Sequence, residues 1–220
     1  VKKILVILLS FTLSQAFAVT ITSEPVENKV VEIHMSNKIP STVSDAKHRR
    51  KTNIIPLPGQ GICSGAFIDD IGDIITARHC VEGYDTFAVI TSDRQEYMAI
   101  ILATSTIHDL ALLHIDYRNT KYFKPAVNIY RGESISVLGS PLGIQDTLSE
   151  GVISRINGDI TLIDCSVLPG NSGGPVFDKD GKLVGIVSAG YVVMMGMTHL
   201  NIVQGIDAIW FFVQQVFSKR

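Results

Sequence analysis

Three short segments of the chain carry residue types suited to nucleophilic catalysis. The first, Ile74-Ile75-Thr76-Ala77-Arg78-His79-Cys80, is an apolar run ending in a histidine. The second, His108-Asp109-Leu110-Ala111-Leu112-Leu113, sets an aspartate just before another apolar run. The third, Pro169-Gly170-Asn171-Ser172-Gly173-Gly174-Pro175, holds a serine among glycines. Each alone has an ordinary explanation: a structural histidine, a turn aspartate, a tight turn. Together they supply the groups that acyl transfer to a hydroxyl needs. Ser172 is the nucleophile, His79 the imidazole that takes its proton, and Asp109 the carboxylate that fixes the imidazole tautomer. The backbone N–H groups of Gly170 and Ser172 are the expected donors to the oxygen that gains charge, each worth about 3–4 kcal/mol in the transition state. Glycine suits that position because a side chain would block the approach of substrate. No Lys-Ser or Lys-Thr pair comes after the glycines, so a phosphate loop is the poorer account. The order His, Asp, Ser also differs from the Ser, Asp/Glu, His order of α/β-hydrolases. The remaining histidines, His34, His48, His108, His114 and His199, read as structural or surface residues.

The elements that must position these groups are short apolar runs broken by turn residues. They include Ala66–Ile68, Ile74–Ala77, Phe87–Ile90, Met98–Ala103, Leu110–Ile115, Ile135–Leu138, Gly151–Ile156, Ile160–Ile163, Pro175–Phe177 and Leu183–Val187. Recurrence every ~8–12 residues with almost no helical period predicts an all-β sandwich or barrel. Asp178-Lys179-Asp180-Gly181-Lys182 resembles the start of a calcium loop but lacks the later ligands, so a hairpin turn is expected there. The period changes near the C-terminus. Ile206, Ile209, Trp210, Val213, Val216 and Phe217 share one face of a helix, with Asp207 in its first turn and Lys219-Arg220 in its last. Packing of that face on the β core is expected.

Composition is that of a globular chain: 220 residues, 46% apolar and 18% charged. A net charge of −2 gives no electrostatic footprint for nucleic acid. No cofactor or metal signature stands out. Mean hydropathy is high at +0.28, and the first residues account for part of it. Lys2-Lys3, the apolar run from Ile4 to Leu13 and the Ala16-Phe17-Ala18 site are the three parts of a secretory signal peptide over residues 1–18. The apolar stretch is about half of the ~20 residues a membrane-spanning helix needs, so no stable membrane span is expected after its removal. Residues 19–52, ending in Lys47-His48-Arg49-Arg50-Lys51, read as an extended leader or arm. An exported chain meets an oxidising compartment. A disulfide between Cys63 and Cys80, 17 positions apart, could stabilise the fold by about 3 kcal/mol. Cys165 is left over, as a buried small hydrophobe or a reactive thiol.

These motifs identify a resemblance. The chain looks like a serine peptidase of the trypsin/chymotrypsin fold, most closely the HtrA/Deg-type bacterial branch. Ser64-Gly65-Ala66-Phe67-Ile68-Asp69, Gly72 and Thr76 ahead of His79 are similar to that branch's first catalytic motif. Gly139-Ser140-Pro141-Leu142-Gly143 and Ser149-Glu150-Gly151-Val152-Ile153-Ser154 resemble its second-barrel signature. Pro169 to Pro175 matches its nucleophile motif, and the likeness runs from about Gly61 to Val213. The resemblance implies two packed antiparallel six-stranded β-barrels, at 53–122 and 123–220, the second ending in the C-terminal helix. His79 and Asp109 would come from the first barrel and Ser172 from the second. Ser166 would lie in the specificity pocket, and Ser188-Ala189-Gly190 would bind substrate backbone and line that pocket. Cys63 and Cys80 fall where the chymotrypsin branch has a disulfide and HtrA proteins usually lack one.

Several positions depart from the family pattern. HtrA enzymes usually carry a PDZ domain after the protease domain, and no counterpart occurs within these residues. Asn171 stands where chymotrypsin-type zymogens use an aspartate to pair with a freed N-terminus, and a neutral amide cannot form that ion pair. Ser166 replaces the aspartate that selects Arg or Lys, and Val187 the histidine of glutamate-selective relatives, so an uncharged side chain is the expected preference. The expectation is an exported, periplasmic or secreted, serine endopeptidase acting on polypeptides, with its oligomeric state open. The competing expectation is a catalytically silent module of the same fold that binds peptides or proteins.

Overall fold

The computed structural model describes residues 25–37, 59–188 and 200–218. Within them two closed antiparallel barrels form, each of six strands. The first contains β1 (Val30–Ser36), β2 (Gln60–Phe67), β3 (Asp73–Thr76), β4 (Thr86–Ile90), β5 (Glu96–Thr104) and β6 (Ala111–His114), in the spatial order β1-β2-β3-β6-β5-β4. The second contains β7 (Ser134–Gly139), β8 (Thr147–Asn157), β9 (Ile160–Ile163), β10 (Pro175–Asp178), β11 (Leu183–Val187) and β12 (Asn201–Gly205). Its order is β10-β11-β12-β9-β8-β7. Helix α1 (Ile206–Phe217) continues directly from β12. The all-β double barrel with its terminal helix is therefore the fold that the motifs imply.

Two strands are not evident from sequence. β1 lies inside the stretch that reads as a leader, so the first barrel draws on chain N-terminal to residue 53. Its signal is present all the same: Val31, Ile33 and Met35 alternate with Glu32 and His34, and the three apolar side chains fill the barrel. β1 closes the ring by pairing with both β2 and β4. β12 gives little signal because only Ile202 and Val203 are apolar between Asn201 and Gln204. Both polar residues are nevertheless buried, and Asn201 Nδ2 donates to the Cys165 carbonyl at 2.7 Å. The signal-peptide reading of 1–18 and the basic cluster at 47–51 lie outside the described residues.

The core has three parts. Val31, Ile33, Phe67, Ile74 and Leu113 fill the first barrel, and Val137, Ile153, Ile163, Val176 and Val203 fill the second. Between them runs a shared layer that includes Leu110, Leu112, Leu138, Ile186 and the buried face of α1, with Ile206, Ile209, Phe212 and Val213. Strand β6 is apolar at consecutive positions because both faces are covered: Ala111 and Leu113 point into the barrel, Leu110 and Leu112 into the layer between barrels. Each such burial is worth about 1.5–3 kcal/mol per large side chain. The segment just before β6 is thereby fixed against the second barrel, and that segment carries Asp109. The Asp178 turn is a hairpin, as expected: the Asp178 carboxylate accepts the N–H groups of Asp180 and Lys182, and Gly181 takes a positive φ of 68°.

Candidate active site

His79 sits in a 3-10 turn, Arg78–Cys80, at the point where β3 leaves the first barrel. Its Nδ1–H donates to Asp109 Oδ2 at 2.8 Å, and its backbone N–H donates to Asp109 Oδ1 at 3.0 Å. One carboxylate thus holds both the ring and the main chain of the histidine. The Ser188 hydroxyl, at the end of β11 in the second barrel, also donates to Asp109 Oδ2. Burial by itself would raise the Asp109 pKa. The hydrogen bonds from the His79 ring, the Ser188 hydroxyl and the His79 amide outweigh it and hold the group down at about 2. Asp109 therefore stays ionised across the physiological range and keeps the proton on Nδ1, leaving the Nε2 lone pair outward.

The loop that delivers Asp109 has its own anchors. The Ser105 hydroxyl accepts the N–H groups of Ile107 and His108, at 3.3 and 3.0 Å. Arg78 Nη1 donates to the Ser105 carbonyl at 3.0 Å. His108, structural or surface by its sequence, joins this loop to the second barrel: its Nε2 lies 3.0 Å from Asp159 Oδ2 in the β8–β9 turn, and its ring meets Phe211 of α1 edge-on.

Ser172 lies in the turn before β10, and backbone geometry shapes that turn. Asn171 N–H donates to Leu168 O, Gly173 N–H to Val187 O and Gly174 N–H to Asn171 O. The N–H groups of Gly170 and Ser172 meet no acceptor among the described residues. Two of the glycines are sterically required. Gly170 has φ +105°, and a Cβ there would lie 2.2 Å from the Ser140 carbonyl oxygen. Gly173 has φ +79°, and its Cβ would lie 2.1 Å from Thr76 Oγ1 and 2.3 Å from the Ser64 carbonyl oxygen.

Those contacts reveal a residue whose role is not apparent from sequence. Ser64, fully buried in β2, pins the Ser172 turn to the first barrel. Its N–H donates to the Ser172 carbonyl at 2.8 Å and its hydroxyl to the Gly170 carbonyl at 2.8 Å. The same hydroxyl accepts Ser140 N–H at 3.0 Å, and Thr76 Oγ1 donates to the Ser64 carbonyl at 2.7 Å. Its only sequence signal is membership of the Ser64–Asp69 motif.

Cys63 and Cys80 form a disulfide. The Cys80 sulfur lies 3.8 Å from His79 Nε2 and 3.7 Å from the Ser172 carbonyl oxygen, so both halves of the site abut it. Among the described residues no hydrogen bond joins the Ser172 hydroxyl to His79; such contacts commonly tighten only when substrate is bound. Cys63, His79 and Cys80 place three ligand-type atoms within 4.8 Å of one another, but with the sulfurs bonded together only the imidazole can ligate. The other site candidates are more scattered. Ser166 is exposed, and its carbonyl accepts the Ser149 hydroxyl at 2.9 Å. Ser188 is buried with its hydroxyl spent on Asp109. Ala189 and Gly190 lie outside the described residues. Asn171 is buried, and its Oδ1 finds no partner among the described residues. Cys165 is also buried, and burial together with the Asp164 charge pushes its thiol up to about 12, which makes it an inert core residue.

Known proteins share this fold. The sequence profile of the trypsin-like peptidase domain matches residues 63–186, which contain His79, Asp109 and Ser172. The chain belongs to the trypsin-like peptidase domain family. A probable periplasmic serine endoprotease DegP-like from Halomonas elongata is 32% identical over 154 residues, covering 66% of this chain and 32% of that protein. The chloroplastic protease Do-like 1 of Arabidopsis thaliana is 30% identical over 156 residues, covering 63% of this chain and 35% of its own length. The chain thus spans about a third of the length of these curated relatives. Among solved structures, the HtrA-type protease AlgW with a decapeptide superposes with a TM-score of 0.70 at 26% identity, covering 87% of this chain and 65% of that one. The serine endoprotease of Yersinia pestis gives a TM-score of 0.70 at 20% identity, covering 86% and 63%, and so shares the fold. Among the described residues of this trypsin-like peptidase domain, no helix is long and apolar enough to cross a membrane.

Proposed function

We propose that this trypsin-like domain is an exported serine endopeptidase that cleaves polypeptides through Ser172, His79 and Asp109. The observation that carries the reading is the doubly hydrogen-bonded His79–Asp109 pair set against a glycine turn whose Gly170 and Ser172 N–H groups are uncommitted among the described residues. The Ser172 hydroxyl attacks the peptide carbonyl carbon while His79 Nε2 takes its proton. The carbonyl oxygen, now negative, sits against the N–H groups of Gly170 and Ser172. Collapse of this intermediate breaks the C–N bond as His79 returns the proton to the departing amine. A water molecule, deprotonated by the same Nε2, then hydrolyses the acyl-enzyme. Asp109 stays ionised throughout and stabilises the imidazolium that forms at each step.

Export is supported by the pattern of residues 1–18 and by relatives described as periplasmic. Polypeptide substrates are supported by the endoprotease relatives and by the peptide complexes of AlgW. The uncharged Ser166 favours cleavage after uncharged side chains. Digestion of unfolded casein by the purified chain, with cleavage sites read by mass spectrometry, tests the reading. Cleavage that disappears in Ser172→Ala is the expected result. Tight peptide binding without cleavage would establish the silent-module alternative instead.

A further inference from the structure

The one disulfide among the described residues adjoins the Nε2 lone pair on which the proposed chemistry depends. This arrangement has a second chemical state. A dithiol reductant takes up the Cys63–Cys80 bond by exchange, forming its own disulfide and leaving two protein thiols; a chain not yet oxidised holds the same two thiols. We propose that in this dithiol state Cys63, Cys80 and His79 form a Zn²⁺ site that silences the enzyme until the disulfide forms.

The residues present fit the ion. Zn²⁺ prefers thiolate and imidazole ligands in tetrahedral array, and two cysteines, one histidine and a water are an established donor set. Bond lengths of about 2.1 Å to nitrogen and about 2.3 Å to sulfur put the tetrahedral N–S edge near ~3.6 Å. His79 Nε2 and Cys80 Sγ are already 3.8 Å apart. Ligand atoms of all three residues lie within 4.8 Å of one another, and once the S–S bond is broken the sulfurs need to separate only to about 3.8 Å, the tetrahedral S–S edge for bonds of about 2.3 Å. The outer shell is also in place. His79 donates its other ring N–H to Asp109, the carboxylate–histidine arrangement that orients metal-bound imidazoles and raises their basicity. Two protons leave the thiols as the ion binds. Cys63 and Cys80 are buried while His79 is half-exposed, so the ion enters from the cleft.

Inhibition results from a competition for one electron pair. The Nε2 lone pair that binds the ion is the one that would receive the serine proton, so the two states exclude each other. This consequence rests on the catalytic reading of His79; binding of the ion does not.

Cobalt(II) is the probe, because its thiolate charge-transfer band reports sulfur ligation without turnover. The full chain in a Cys165→Ala background, which removes the third thiol, is compared in oxidised and dithiol-reduced forms. The reduced chain is expected to bind one equivalent of cobalt with thiolate absorption that zinc displaces, and the oxidised chain to show none. His79→Ala, which keeps both thiols, removes a direct ligand and is expected to weaken cobalt binding by at least the roughly 10–100-fold that loss of an outer-shell partner costs. Ser172→Ala is expected to bind cobalt like the parent chain, which separates metal binding from catalysis. One equivalent of zinc should abolish casein cleavage by the reduced chain and spare the oxidised chain. Absence of the thiolate band from the reduced chain, or unchanged cobalt affinity in His79→Ala, would overturn the site. Full activity of the zinc-loaded reduced chain would overturn the silencing while leaving the site. A chain inert to fluorophosphonate in its oxidised form would instead count against the protease reading alone.

Discussion

The two barrels prepare their halves of the site by different means. In the first, side chains do the positioning: Asp109 takes two hydrogen bonds from His79 and a third from Ser188. In the second, the main chain does most of it: the Ser172 turn is held by backbone hydrogen bonds, by the Ser64 hydroxyl on the Gly170 carbonyl, and by glycines at which a Cβ would clash. The contrast separates two modes of failure. The first half should lose function when charge is removed even though its shape survives. The second should lose its fold when shape is altered even though no charge changes.

Asp109→Asn tests the first mode and carries the largest expected effect on rate. An amide of the same shape cannot enforce the Nδ1–H tautomer, and turnover should fall by about 10⁴-fold in a variant that still folds. A loss below tenfold would break the comparison. Gly173→Ala tests the second mode. Its Cβ would lie 2.1 Å from Thr76 Oγ1 at a φ of +79°, and the expected cost is about 3 kcal/mol or more in urea unfolding. A variant of unchanged stability would show that the turn is soft.

Ser64→Ala sits between the two modes, because Ser64 is a first-barrel residue that grips the second-barrel turn. Losing its hydroxyl strands the Ser140 N–H and the Gly170 carbonyl, at about 1–3 kcal/mol. The carbonyl belongs to the turn that carries the proposed oxyanion donors, so kcat should fall about tenfold while KM holds, the signature of an interaction made in the transition state. Rescue by Ser64→Thr would sharpen the assignment to the hydroxyl.

A smaller effect is expected from acid. Asp109 titrates at about 2 in the folded chain against an ordinary 3.8, so the unfolded chain takes up the proton first as pH falls. The stabilisation, about 2 kcal/mol, is fully present above pH ~4 and is lost as pH falls through ~2. Unfolding followed from pH 6 to pH 2 should therefore be shallower in Asp109→Asn than in the parent chain. Parallel slopes would mean that the hydrogen bonds to Asp109 do not outweigh its burial.

Legibility in the sequence divides along the same line. Groups with distinctive chemistry, His79, Asp109 and Ser172, stand out because their types and glycine context are uncommon together. Strand β6 is plain because both of its faces are buried. Strand β1 alternates correctly, yet Glu32 and His34 mask it within a polar stretch, and β12 is too short in apolar residues to signal. Ser64 and Ser188 cannot be assigned their roles from sequence. A serine in a strand becomes a positioning residue only when folding brings it to a carbonyl 106 positions away or a carboxylate 79 positions away. His108 is legible as structural, but its pairing with Asp159 across the barrels depends on the fold.

The central claim is that Ser172 is a nucleophile activated by His79. Intact-mass analysis after reaction with a fluorophosphonate tests it most directly. One adduct per chain is predicted, mapped to Ser172, absent from Ser172→Ala and strongly slowed in His79→Ala. An adduct that persists in Ser172→Ala, or one that forms at the parental rate in His79→Ala, would contradict it.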